Sequence, residues 1–148
     1  MRRQIEVTVP PERAFTAFVD VHDVLNWLAD AAVIGRHVGG NWALGWYADP
    51  ESDAGYHSIG MVEDYEPGRR LVVGTLTFST PEGQELGPMR LVVDFEPAPG
   101  GTLVTVTQER LGSEASWDTY NAGLGPGWER SLGHLKAWLE EGRRLPGR

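Results

Sequence analysis

The feature that most constrains this chain is its last helical segment, Gly127-Trp128-Glu129-Arg130-Ser131-Leu132-Gly133-His134-Leu135-Lys136-Ala137-Trp138-Leu139, placed after a long run of strands. Trp128, Leu132, Leu135 and Leu139 recur at steps of four, three and four, which sets them on one helical face. An amphipathic helix must bury such a stripe, and the only large partner this sequence offers is a sheet. A long helix lying across a curved sheet leaves room for a cavity between the two. The pattern therefore points to a binding space without naming its occupant.

The sheet is read from alternation. Ile5, Val7 and Val9 alternate with Glu6 and Thr8, which predicts a first strand. Pro10-Pro11-Glu12 ends it and opens a helix, since proline and an acid both suit a first helical turn. Ala14, Phe15, Ala17 and Phe18 form the apolar side of that helix. Asp20 is expected to cap a second short helix, with Asp23 in its first turn and Val24, Leu25, Trp27 and Leu28 buried. From about 32 to 109 the chain reads as strands and turns. Gly39-Gly40 signals a hairpin before 41–47, where Trp42, Leu44 and Trp46 share one face. Met89, Leu91, Val93 and Phe95 alternate with Arg90, Val92, Asp94 and Glu96. Consecutive alternating strands joined by short turns make an antiparallel meander with one buried face. A short helical segment is expected over 116–124, broken by Gly125-Pro126-Gly127 before the main helix. The order gives an α+β fold in one domain, residues 1–148.

Charge and composition exclude several function classes. The net charge of -8 argues against a nucleic-acid surface, which needs a basic footprint, and against an anionic membrane surface. The chain has no cysteine, so disulfides, thiolate nucleophiles and cysteine metal sites are out. Met1-Arg2-Arg3 leads into a strand pattern rather than an apolar run, so no signal peptide is expected. No segment has the length of a membrane span, and a cytoplasmic location is the expectation.

A set of weak marks runs the length of the chain in a fixed order. They are Val9-Pro10-Pro11-Glu12-Arg13-Ala14-Phe15, Trp27, Gly39-Gly40, Gly60-x-Val62 and Glu66-Pro67-Gly68-Arg69-Arg70-Leu71, followed by Gly100-Gly101-Thr102 and Gly127-Trp128 with its leucine ladder. In these marks the chain resembles the START-like superfamily, also called SRPBCC, nearest the activator-of-heat-shock-protein-ATPase homologues. The resemblance implies a helix-grip fold, with about seven curved antiparallel strands around the C-terminal helix and two short helices after the first strand. It also implies a pocket for an apolar or amphipathic small molecule, lipid or polyketide-like. In the family register the concave face carries Trp42, Leu44, Trp46, Gly60, Val62, Leu71, Val73, Thr75 and Thr77, then Met89, Leu91, Val93, Phe95, Val104, Val106 and Gln108. Tyr65 joins that face after a bulge, because Val62 to Tyr65 is an odd step.

The residues that could carry chemistry are few. Of the six tryptophans, Trp27, Trp42, Trp46 and Trp128 either line a ligand cavity or fill the space themselves, since cavities and cores draw on the same side chains. Tyr65, Thr75, Thr77, Gln108, Tyr120 and Asn121 are isolated polar residues of the kind that orient a ligand, or else bond to one another. The candidate ligand set is Trp27, Trp42, Trp46, Tyr65, Val73, Thr75, Met89, Leu91, Val93, Gln108, Tyr120, Asn121, Trp128 and Leu132. His22, His37, His57 and His134 form no helical metal pair, and no metal or cofactor is expected. No residue is assigned as catalytic, although a polyketide cyclase or dehydratase on this fold would draw on His57, Tyr65 or Glu63. Gly123-x-Gly125-x-Gly127 lacks the last glycine of a dinucleotide fingerprint. Three functions follow: a small-molecule binding or carrier protein, a cyclase-like enzyme, and a partner of a heat-shock ATPase. The partners envisaged are an apolar small molecule, a second copy of the chain, or a chaperone.

Overall fold

A computed structural model describes residues 1–47, 55–111 and 117–146, with side chains of the last segment described from 122 onward. The elements are β1 (Arg2–Val7), α1 (Pro11–Val19), α2 (Val21–Trp27), β2 (Ala31–Ile34), β3 (Asn41–Trp46), β4 (Tyr56–Glu66), β5 (Arg70–Ser79), β6 (Glu85–Ala98), β7 (Gly101–Arg110) and α3 (Trp117–Glu141). The seven strands form one antiparallel sheet in the order β1-β7-β6-β5-β4-β3-β2. The α+β class, the two short helices after the first strand and the long C-terminal helix match the expectation.

Local chemistry explains the short helices. Pro10 is extended at the N-cap of α1, and Pro11 occupies the first turn, where its missing N–H costs nothing. Asp20 ends α1 and caps α2, its Oδ1 accepting from the Asp23 backbone N–H at 3.0 Å. Phe15, Phe18, Val24 and Trp27 are buried against the sheet, and Phe18 meets the rings of Trp27 and Phe95 edge-on.

Two bulges decide which residues face inward. Val62 pairs with Val73, but Asp64 pairs with Val72, so β4 carries one extra residue at the step foreseen before Tyr65. The second bulge was not foreseen. Met61 pairs with Gly74 and Ile59 with Thr77, so β5 carries an extra residue there. Thr75 holds a positive φ of 46° at this point and is exposed. The expected inward series Val73, Thr75, Thr77 is therefore corrected after Val73: Leu76 and Phe78 turn to the inner face instead. Gly60 lets the strands close over this step, because a Cβ there would lie 2.6 Å from Val73 Cγ1 and 2.9 Å from the Gly74 oxygen.

The expected break at 125–127 is also corrected. Helix α3 runs unbroken from Trp117 to Glu141 with Pro126 inside it. A proline removes one ladder donor, and beyond it the helix is tied down on both flanks. On one flank Arg3 pairs with Glu129 at 2.7 Å, Lys136 Nζ donates to the Glu6 oxygen at 2.9 Å, and the Thr8 N–H donates to Glu140 at 3.0 Å. On the other, Trp138 Nε1 donates to Asp23 Oδ1 at 2.9 Å. Leu132 and Leu135 are buried below. Among the described residues no helix is long and apolar enough to cross a membrane.

Candidate functional site

The inner face of the sheet is covered unevenly. Helices α1 and α2 and the second half of α3 fill the space above β1, β6 and β7. Beneath the first half of α3 a partly open cleft of about 440 Å³ remains. Its sheet side is made by Trp42, Leu44 and Trp46 from β3, Tyr56 and Ser58 from β4, Leu76 and Phe78 from β5, Leu91 from β6 and Gln108 from β7. Leu28 closes one side. Its helix side is made by Gly123, Leu124, Gly127, Trp128, Arg130 and Ser131.

The helical spacing explains the opening. Gly123 and Gly127 are one turn apart and share the face that overhangs the sheet. A Cβ built at either position meets nothing within 4 Å. Leu132 and Leu135, on the neighbouring face that also carries Trp128, are buried.

The polar atoms around the cleft are largely committed. Trp42 Nε1 donates to the Phe18 oxygen at 2.9 Å, Trp46 Nε1 to the Leu28 oxygen at 2.7 Å, and Trp128 Nε1 to Gln108 Oε1 at 2.8 Å. The last bond fixes the Gln108 amide, whose oxygen must face the indole. Its Nε2 then points to Met89 Sδ at 3.1 Å, a weak acceptor.

Comparison with known proteins identifies the fold's relatives. A family model described as Activator of Hsp90 ATPase homolog 1-like protein matches residues 8–140. The chain belongs to this family. A family protein from Silicibacter pomeroyi is similar in structure, with a TM-score of 0.74 and 21% identity over 94% of this chain and 96% of that one. A protein from Rhizobium leguminosarum gives a TM-score of 0.77 and 21% identity over 95% and 93%. DynU16, from the dynemicin biosynthetic locus, gives 0.73 and 21% over 98% of this chain but 49% of its own. At these identities the likeness is one of fold. Among curated proteins none matches.

In this member of the family the candidate ligand residues divide into groups. Trp42, Trp46, Leu91, Gln108 and Trp128 border the cleft together. Trp27, Val73, Met89, Val93 and Leu132 are buried in the core and do not border it. Trp27 is 1% exposed and donates to the Ala17 oxygen at 2.8 Å. Tyr65 packs edge-on against Phe15 with centroids 5.1 Å apart, and its hydroxyl is met by Arg36 Nε at 3.5 Å. Thr75 is on the opposite face and donates to the Gly74 oxygen. The side chains of Tyr120 and Asn121 lie outside the described residues. Sequence reasoning missed Leu76 and Phe78, although the shift of apolar residues from odd positions at Leu71 and Val73 to even ones at Leu76 and Phe78 signals the bulge.

The acid–base candidates are elsewhere. His57 alternates with the cleft residues Tyr56 and Ser58 and faces out, beside Tyr47 with Nε2 3.4 Å from its hydroxyl. Glu63 is on the outer face, 3.3 Å from Arg90. A hollow of about 630 Å³ on that face is larger than the cleft, but Arg90–Glu63 and Arg70–Asp94 pairs occupy its polar wall. A further polar cluster lies under the end of α3, where Arg13 grips Asp23 with two bonds of 2.8 Å. Burial alone would raise the Asp23 carboxyl. Bonds from Arg13 and Trp138, with the charges of Arg13 and His22, outweigh that and hold it below its ordinary value. That cluster clamps α1, α2 and α3 together.

Proposed function

We propose that the chain is a small-molecule binding or carrier protein, with its ligand held in the cleft between the sheet and the first half of α3. The observation that supports this most is the combination of aromatic walls and glycine roof. Trp42, Trp46, Phe78 and Trp128 surround a space that Gly123 and Gly127 leave unfilled. Concave apolar sites with few polar groups are the usual form of small-molecule sites. A volume of about 440 Å³ falls in the range that such ligands occupy. In this reading Trp42, Trp46, Leu91, Gln108 and Trp128 touch the ligand, and Trp27, Val73, Met89, Val93 and Leu132 support the wall from behind.

Binding is preferred to a cyclase-like activity for a chemical reason. General acid–base work needs a titrating group within hydrogen-bond reach of the substrate. His57, Tyr65 and Glu63 all sit off the cleft, and the phenol that does border it, Tyr56, is exposed and stacks on Phe78. The reading takes residues 1–148 as one START-like domain acting in the cytoplasm.

Native mass spectrometry of freshly purified protein tests the proposal. The expected result is a non-covalent adduct of a small apolar molecule that is released on denaturation. A spectrum of the bare chain alone, with no adduct after incubation with apolar compounds, contradicts it.

A further inference from the structure

Among the described residues two nitrogen donors border the cleft without an oxygen acceptor in the protein, Arg130 and Gln108 Nε2, and from them we infer that the ligand is an amphipathic anion with an oxygen acceptor on its apolar body. This inference rests on the binding reading above. Arg130 is the one charged residue bordering the cleft among the described residues, in a chain with 21 acids against 13 bases. Arg3, Arg13, Arg36, Arg70 and Arg90 each sit against a carboxylate. Among the described residues Arg130, like Arg2, Arg110 and Arg144, has no such partner, and of these four it alone borders the cleft. It therefore presents an uncompensated guanidinium, with five N–H donors, at the rim of an apolar space.

Deeper in lies the second donor. Gln108 is 5% exposed, and its oxygen is consumed by the Trp128 N–H. Its amide nitrogen carries two hydrogens and has only the thioether of Met89 as a partner. One N–H is left for an acceptor, and a buried donor without one is costly. The indole donors of Trp42, Trp46 and Trp128 are all engaged within the protein, so they add no competing demand. An apolar body with a carbonyl or ether oxygen at Gln108 and a carboxylate or sulfonate at Arg130 meets both needs.

A matched pair of fluorescent probes tests this: anilinonaphthalene sulfonate, which is anionic, and N-phenylnaphthylamine, which has the same rings and no charge. Both are titrated at low and high salt against wild type, Arg130→Gln and Arg130→Lys. The expected result is tighter binding of the sulfonate at low salt. Arg130→Gln weakens the sulfonate about two- to fivefold, the scale of an exposed ion pair, and leaves the neutral probe unchanged. Arg130→Lys restores most of the difference, and high salt narrows it. Binding of both probes with no response of the sulfonate to Arg130→Gln overturns the anion inference and leaves the binding reading intact. Failure of both probes to bind wild type overturns the binding reading and the inference with it.

Discussion

The two halves of the space between helices and sheet are built from the same kinds of residue and end up differently. Under α1, α2 and the end of α3, Trp27, Phe18, Phe15, Leu132 and Leu135 belong to one buried cluster. Under the start of α3, Trp46 and Trp128 stand around open space. Aromatic content does not separate them, nor does hydrogen bonding, since the indole donors are satisfied in both. The difference is in what covers the sheet. The filled half is capped by leucine and phenylalanine, whereas the roof of the open half includes Gly123 and Gly127 beside Leu124 and Trp128. A helix interior with two glycines gives up roughly 1 kcal/mol of propensity at each. In this account that stability is exchanged for a binding space.

The largest effect belongs to the filled half. Trp27→Ala removes a ring 1% exposed and should cost about 3–5 kcal/mol by denaturant unfolding. The same change at half-buried Trp128 should cost clearly less. Equal costs would mean that the two halves are packed alike.

Next comes the clamp beneath the filled half. Asp23→Ala leaves Arg13 and Trp138 Nε1 without their acceptor and should cost about 1–3 kcal/mol. The folded carboxyl lies below its ordinary value of 3.8. Its contribution is therefore fully present above that value and is lost as the pH falls through the folded pKa. Wild type should lose stability on acidification in that window, and the variant should show a flatter profile in thermal melts.

A smaller effect is expected at the cleft. Trp128→Phe keeps a ring but removes the donor to Gln108 Oε1, leaving a buried oxygen unpaired at about 1–2 kcal/mol. Apolar probe affinity should change as well, whereas Trp138→Phe should alter stability alone. The smallest effect has the opposite sign. Gly127→Ala meets nothing within 4 Å and should raise stability by about 0.5–1 kcal/mol. A destabilised Gly127→Ala would show that the glycine is required by the backbone rather than by the space.

Much of this architecture was legible in the sequence because it rests on simple periods. The stripe Trp128, Leu132, Leu135, Leu139 located α3, the odd step from Val62 to Tyr65 located one bulge, and Asp20 located a cap. The second bulge escaped because Val73-Gly74-Thr75-Leu76-Thr77-Phe78 keeps alternating while its apolar residues change parity. Gly125-Pro126-Gly127 suggests a break because proline and glycine both weaken a helix locally, yet α3 continues through them. The cleft was less legible than the fold. Trp27 and Trp46 are alike in sequence, and only the covering element separates a filled ring from an open one. Gly123 and Gly127 held that information at a spacing of four, which matters only once 117–141 is one helix.

The most direct test of the glycine roof is the affinity of uncharged N-phenylnaphthylamine for wild type and for Gly127→Leu. Leucine is a strong helix former, and its side chain would extend into the cleft from the centre of the lining face. A folded variant at least as heat-stable as wild type is expected, with probe affinity reduced about tenfold or more, ~1.4 kcal/mol. A folded Gly127→Leu that binds the probe as tightly as wild type would contradict it.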